Sequence, residues 1–193
     1  MHAPILAFDC SAAHCAAALL HDDGPILRSE AMARGQAERL MPLLEEVLAE
    51  AGLSWGDLGA IGVGTGPGNF TGLRVAVSAA RGLALGLGVP AMGVTGFEAA
   101  ALDLPRPVTI ALPAPRDHLW VQRLTEAGAE TPQLLPASDA PEARPAPPPE
   151  ALALAVARIA QGRAGTPQPR PAPFYIRAAD AAPPREAPPP LIA

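Results

Sequence analysis

A chain of 193 residues, 49% of them hydrophobic, has material for one or two globular domains with a real core. Its net charge is −5 and all 14 of its basic residues are arginine, an acidic balance that argues against a stand-alone nucleic-acid binder, which carries a basic footprint. The N-terminus lacks a positive segment followed by an apolar stretch, and no charge-free run of about 18 apolar residues occurs, so neither a signal peptide nor a membrane span is expected and the location reads as cytoplasmic.

Composition shifts near Leu104. Residues 1–104 hold 5 of the 25 prolines and residues 105–193 hold the other 20. The first segment reads as a well-formed α/β domain, the second as a smaller, Pro-rich domain that is partly irregular. In the first, residues 5–9, 15–20 and 26–30 read as three strands of an antiparallel meander, with Asp23-Gly24 in the turn between the last two. A helix is expected over 37–51. Leu40, Leu44, Val47 and Ala51 share one line of it, flanked by Met41, Leu48 and Leu43. That apolar stripe spans roughly 160°, wider than the ~100° of an ordinary surface helix, and so calls for two packing partners.

Residues 60–64 read as a strand running into a glycine-rich loop, Gly64-Thr-Gly-Pro-Gly-Asn-Phe-Thr-Gly72. A helix over 73–87 follows, apolar nearly all round apart from Arg74, Ser78 and Arg81 on one face, which reads as buried. A strand over 90–94 and a short helix over 96–102 complete this segment. In the second, strands are expected at 108–112 and 119–125, a Pro/Ala-rich connection over 132–149, a helix over 150–161, and a proline-rich tail whose one docking patch is Phe174-Tyr175-Ile176.

The loop is neither a Walker A motif, which needs a lysine, nor G-x-G-x-x-G, because Asn69 stands where the third glycine belongs. Two readings remain open. Backbone N–H groups at a helix start can cradle an anion, or the glycines permit a sharp turn and close helix packing. Asp9, at the end of the first strand, either faces a nucleotide's metal ion or ties the turn with Ser11 through local hydrogen bonds. Arg74 and Arg81 either bind an anion or pair with the glutamate-rich helix before them. His2, His14, His21 and His118 lack metal-ligand spacing, and no nucleophile motif is present. Cys10 and Cys15 form no C-x-x-C pair and read as buried free thiols.

Three stretches together resemble the TsaB (YeaZ) family: Ile5-Leu-Ala-Phe-Asp-Cys-Ser11, Glu38-Arg-Leu-Met-Pro-Leu-Leu-Glu-Glu-Val-Leu48, and above all Gly64-Thr-Gly-Pro-Gly-Asn-Phe-Thr-Gly-Leu-Arg74, similar to the family's G-x-G-P-G-S-F-T-G-L-R with Asn69 in place of serine. The resemblance is good over about 4–104 and scattered beyond, as at Pro173-Phe-Tyr-Ile-Arg177. It implies an actin/Hsp70-like (ASKHA, ribonuclease H-like) α/β fold with a reduced second domain. It also implies a non-catalytic subunit that binds TsaD through helices, with TsaE joining as an ATPase, for transfer of threonylcarbamoyl from its adenylate to the adenosine beside the tRNA anticodon. tRNA would be reached through the complex, a homodimer could form without TsaD, and no membrane is involved.

On that resemblance Asp9, Ser11, Gly64, Gly66, Pro67, Gly68, Asn69, Phe70, Thr71, Gly72 and Arg74 form the candidate loop site for an anion or nucleotide. Leu40, Met41, Leu44, Leu48, Val77, Leu83 and Leu85 are the expected partner interface. TsaD holds its metal with a helical histidine pair; here the corresponding helix offers Gln36. Catalytic residues, metal and cofactor are therefore not expected, and ATP binding is expected to be weak or absent. Pro113 stands where the family has an aspartate at the start of the second domain, which disfavours a nucleotide site spanning both domains. An ATPase or sugar kinase of the same fold, and an M22-type peptidase homologue, are the competing readings; the missing lysine and the missing metal ligands weigh against them.

Overall fold

The computed structural model describes residues 3–140 and 142–176. Its first sheet contains β1 (Ile5–Asp9), β2 (His14–His21), β3 (Gly24–Ala31), β4 (Ala60–Gly64) and β5 (Ala91–Val94), in the order β3-β2-β1-β4-β5. β1, β2 and β3 form the expected antiparallel meander, while β1, β4 and β5 run parallel. Helices α1 (Gln36–Glu50) and α2 (Phe70–Leu87) connect these strands, and α3 (Gly96–Ala100) leads out of the sheet. α2 begins three residues earlier than the sequence suggests because Asn69 caps it, its side chain accepting from the N–H groups of Thr71 and Gly72.

The second sheet is built on the hairpin of β6 (Val108–Ala114) and β7 (His118–Thr125). Its turn places Arg116 and Asp117 at φ 59° and 57°, the left-handed geometry that a tight hairpin turn demands. β8 (Gly128–Ala129) and β9 (Gln133–Pro136) both pair with β7, and β10 (Arg144–Pro145) lies parallel to β6. The connection over 132–149 thus contains two short strands that its prolines concealed. β10 sits at the sheet edge, where a proline costs no ladder bond.

α4 (Pro149–Arg163) returns to the first sheet. The two faces of that sheet are built from side chains of different size. Leu6, Phe8, Leu19, Ile61 and Val63 point to one face and pack with Leu40, Leu43, Leu44, Val47 and Leu48 of α1 and with Ala76, Val77 and Ala80 of α2. Ala7, Ala16 and Ala18 point to the other and meet Ala153, Val156 and Ala157 of α4. A Cβ at Gly62 would stand 3.0 Å from Ala7 Cβ and 3.2 Å from Ala160 Cβ. Small residues on both sides let the helix and the sheet approach closely, so dispersion contacts form without large side chains. In exchange, Phe97 and Ala101, on and just beyond α3, pack with Ile110, Leu112 and Leu124 of the second sheet. The boundary expected at 104 is therefore crossed: a helix from the Pro-rich segment completes the core of the N-terminal one.

This packing corrects part of the expected partner interface. Leu40, Leu44 and Leu48 are 1%, 0% and 2% exposed and Val77 is 3% exposed, so they belong to the chain's own core. The wide stripe of α1 does have two partners, but they are the parent sheet and α2. Met41 and Leu83 are half-buried at the rim of this core, and Leu85 is 84% exposed. α2, expected to be buried, has one covered face and one open face. It is long and apolar enough to cross a membrane by length and composition, yet Gly72, Leu73, Ala76, Val77, Ala80 and Ala84 are buried.

Thr95 and Glu98 form a capping box at the start of α3, and Arg163 of α4 donates to Glu98 Oε1 at 2.6 Å. Burial opposes ionisation of the Glu98 carboxyl. The Thr95 N–H bond and the Arg163 guanidinium outweigh it and hold the carboxyl below its usual value. A depressed carboxyl contributes stability above its unfolded value, and that stability is lost as pH falls through the folded one. Urea titrations of Glu98→Gln are expected to show lower stability than the parent near neutral pH, with the difference vanishing in strong acid. Leu44→Ala is expected to cost roughly 2–5 kcal/mol in the same measurement, as a cavity in a close-packed core does.

Candidate functional site

β1 ends at Asp9, which is 1% exposed, and the chain then turns through Cys10–Ala13 into β2. Asp9 Oδ1 accepts from the Ser11 N–H at 2.9 Å and from Ser11 Oγ at 2.7 Å, and it bonds His14 Nε2 at 2.9 Å. Its carboxylate is thus tied to its own turn. Sequence reasoning left His14 unassigned; the register of β1 against β2, which only the folded hairpin reveals, brings the two side chains together.

The glycine-rich loop leaves β4 directly beside this turn. A Cβ at Gly68 would collide with the Ser11 carbonyl oxygen, and one at Gly72 with the Cys10 carbonyl oxygen. Only glycine lets the loop and the first turn of α2 lie this close to β1. Several of the loop's backbone groups are committed to neighbours. Thr65 N–H donates to Val94 O at 2.8 Å, Asn69 N–H to Ser11 O at 2.6 Å, and Gly96 N–H to Gly66 O at 2.8 Å. The N–H groups of Thr71 and Gly72, which an anion at the helix start would use, are taken by Asn69 Oδ1 at 3.0 and 3.4 Å.

The candidate residues separate into three places. Ser11, Pro67 and Gly68 line a cleft of about 270 Å³ between the two sheets, together with His14, Leu112, Pro113, Pro147, Pro149 and Leu152. Gly64, packed against the Asp9 side chain, and Gly66 lie behind this wall. Phe70, Thr71 and Arg74 point away to the surface, where the Arg74 guanidinium sits 3.7 Å over the Phe70 ring and donates to the Tyr175 hydroxyl at 3.1 Å. Phe70 and Tyr175 stack at 5.2 Å, and Phe174 N–H donates to Thr65 O at 2.8 Å. The docking patch of the tail thus seats itself on the loop; Arg177 and His2 lie outside the described residues. Arg81 lies elsewhere, lining with Arg170 an open groove of about 710 Å³. Neither Arg74 nor Arg81 pairs with the glutamates of α1, of which Glu50 bonds Arg28 and Glu46 bonds Arg39.

Chemically, the cleft is apolar. Among the described residues four prolines and two leucines wall it, and the side-chain polar groups are the Ser11 hydroxyl and the His14 imidazole. Gln36 is buried and donates to Met32 O at 3.2 Å. Among the described residues no cluster of three or more His, Cys, Asp or Glu has the geometry to hold a metal ion.

A family model described as TsaD, tRNA N6-adenosine threonylcarbamoyltransferase, matches residues 28–139, more than half of the chain. The chain belongs to this family. Within it the chain groups with the TsaB/YeaZ proteins. It is 37% identical over 91 residues to the tRNA threonylcarbamoyladenosine biosynthesis protein TsaB of Escherichia coli, which is 47% of this chain and 39% of that one. The Haemophilus influenzae TsaB is 36% identical over 97 residues, 50% of this chain and 41% of that one. The matches span only about two-fifths of these curated relatives. The solved structure of YeaZ from Pseudomonas aeruginosa is covered completely, with 91% of this chain aligned, a TM-score of 0.72 and 26% identity. The fold is accordingly the actin/Hsp70-like α/β fold of TsaB/YeaZ, two sheets facing each other across the proline-walled cleft.

Two alanine substitutions separate close packing from helix propensity. Gly72→Ala is expected to cost about 2 kcal/mol or more, because backbone must shift to admit a Cβ. Gly82→Ala, where a Cβ would meet nothing within 4 Å, should add about 0.5–1 kcal/mol. Thermal and urea denaturation of the two variants checks the ordering.

Proposed function

We propose that this chain is a non-catalytic subunit of the machinery that transfers threonylcarbamoyl from its adenylate to the adenosine beside the tRNA anticodon, supporting TsaD by direct contact while TsaE joins the complex. The single observation that carries this reading is the cleft. Where a nucleotide-using relative needs charged groups at the phosphates, this one presents Pro67, Pro113, Pro147 and Pro149, and the Asp9 carboxylate is spent on Ser11 and His14. The TsaB names of the relatives support the pathway. The reading carries with it a cytoplasmic location, no cofactor and access to tRNA through the complex.

The contact surface lies on the open face of α2. Leu85 is 84% exposed, and added Cβ atoms at Gly82 and Gly86 would meet nothing. A large apolar side chain among small ones is what a partner helix needs for close approach, and anchors of this kind carry most of an interface's affinity. Met41 and Leu83 form the inner rim. The same face would serve a homodimer when TsaD is missing.

The purified chain alone is expected to leave tRNA unmodified and to restore modification when mixed with TsaD, TsaE and the adenylate. Failure to stimulate that mixture overturns the proposal. Leu85→Asp should weaken TsaD capture at least tenfold, by roughly 1.4 kcal/mol or more, with an unchanged melting temperature. Calorimetric titration with ATP should register no binding; micromolar binding with turnover would instead establish the ATPase or kinase reading.

A further inference from the structure

The two cysteines face each other at the turn end of the β1–β2 hairpin. The last paired residues there are Asp9 and Ala16, so one step further along the same register sets Cys10 opposite Cys15. Their Sγ atoms are 3.4 Å apart and both residues are fully buried. Directly opposed residues of an antiparallel pair have Cα atoms about 4.5–5.5 Å apart, inside the range that a disulfide spans without moving backbone. Rotation about the two Cα–Cβ bonds is the remaining adjustment.

The two thiols are not equivalent. The hydrogen bond between them, helped by burial, pushes Cys10 up, and the same bond pulls Cys15 down against the opposing effect of burial. Cys15 is therefore the better nucleophile of the pair. Only the four residues Ser11–His14 lie beyond the pair, and Ala12 and Ala13 at their centre are exposed. Opening this turn is a local event that admits a small oxidant.

We propose that Cys10 and Cys15 are a modification site, closed by hydrogen peroxide to a reversible cross-strand disulfide at the root of the glycine-rich loop. The Cys15 thiolate attacks one peroxide oxygen and breaks the O–O bond, giving a sulfenic acid and hydroxide, which takes up a proton to become water. Cys10 sulfur then attacks the sulfenyl sulfur, the S–S bond forms, and the displaced hydroxyl leaves as water with the Cys10 proton. Two electrons pass from the thiol pair to peroxide, and a dithiol reductant reverses the change. The bond would sit where Cys10 O touches Gly72 and Cys15 Sγ lies 3.8 Å from Gln36 O, at the start of both α2 and α1.

The test treats the full-length reduced chain with hydrogen peroxide under native conditions and then titrates thiols in denaturant. Thiols per chain should fall from two to none. The mass should fall by two hydrogens, within the tryptic fragment ending at Arg28, and dithiothreitol should restore both. The oxidised chain should melt about 5 °C higher, because a short loop is closed in the unfolded state. Cys10→Ser and Cys15→Ser should each abolish the mass loss. Two thiols surviving saturating peroxide, oxygen addition without loss of hydrogen, a cross-link between chains, or a lower melting temperature after oxidation would each overturn the proposal.

Discussion

The close seam between the first sheet and α4 is the constraint from which most of this structure follows. Ala7, Ala16, Ala18 and Gly62 on the strands meet Ala153, Val156, Ala157 and Ala160 on the helix. The centre of the seam is alanine and glycine, with larger side chains such as Leu152, Leu20 and Ile159 around it, so the stabilisation depends on close fit across a long contact. The seam fixes where α4 begins. Pro147, two residues before α4, and Pro149, its first residue, are thereby held over the cleft beside Ser11. The apolar character of the cleft is thus a consequence of how the sheet is covered.

The glycine-rich loop belongs to the same economy of space. In a nucleotide-binding relative of such a fold, a strand-loop-helix junction leaves backbone N–H groups pointing at phosphate. Here Asn69 occupies those groups at the start of α2, and Ser11, Val94 and Gly96 engage much of the remaining loop backbone. The loop joins β1, β4, α2, α3 and the tail at one point. Its glycines are close-packing residues, and Phe70, Arg74 and Tyr175 form its outer cap.

Much of this was legible from the residues. The meander, α1, the strand before the loop and the helix after it follow from periodicity and turn chemistry, and the family follows from an eleven-residue stretch. Four features were not. α4 reads as a helix with Leu152, Val156 and Ile159 on one side, but the alanines that meet the sheet carry no signal of what they cover, so its docking on the distant sheet is invisible in the sequence. β9 and β10 hid among prolines, which suit edge positions yet resemble linker. The burial of Leu40, Leu44, Leu48 and Val77 could not be told from a docking surface, because a wide apolar stripe looks the same whether its second partner is in this chain or in another. Pairings such as Asp9 with His14 depend on hairpin register, which one sequence leaves open.

The seam also sets an order of events in the cell. Gly62 waits for Ala160, nearly a hundred residues later in the chain. Until the ribosome has released that stretch, the alanine face of the first sheet has nothing to lie against. The nascent N-terminal half can collapse onto α1 and α2 on its other side, but it remains a half-clad sheet through the making of the whole second one. Chaperone demand during synthesis should therefore be greatest over the very segment whose prolines make it look dispensable.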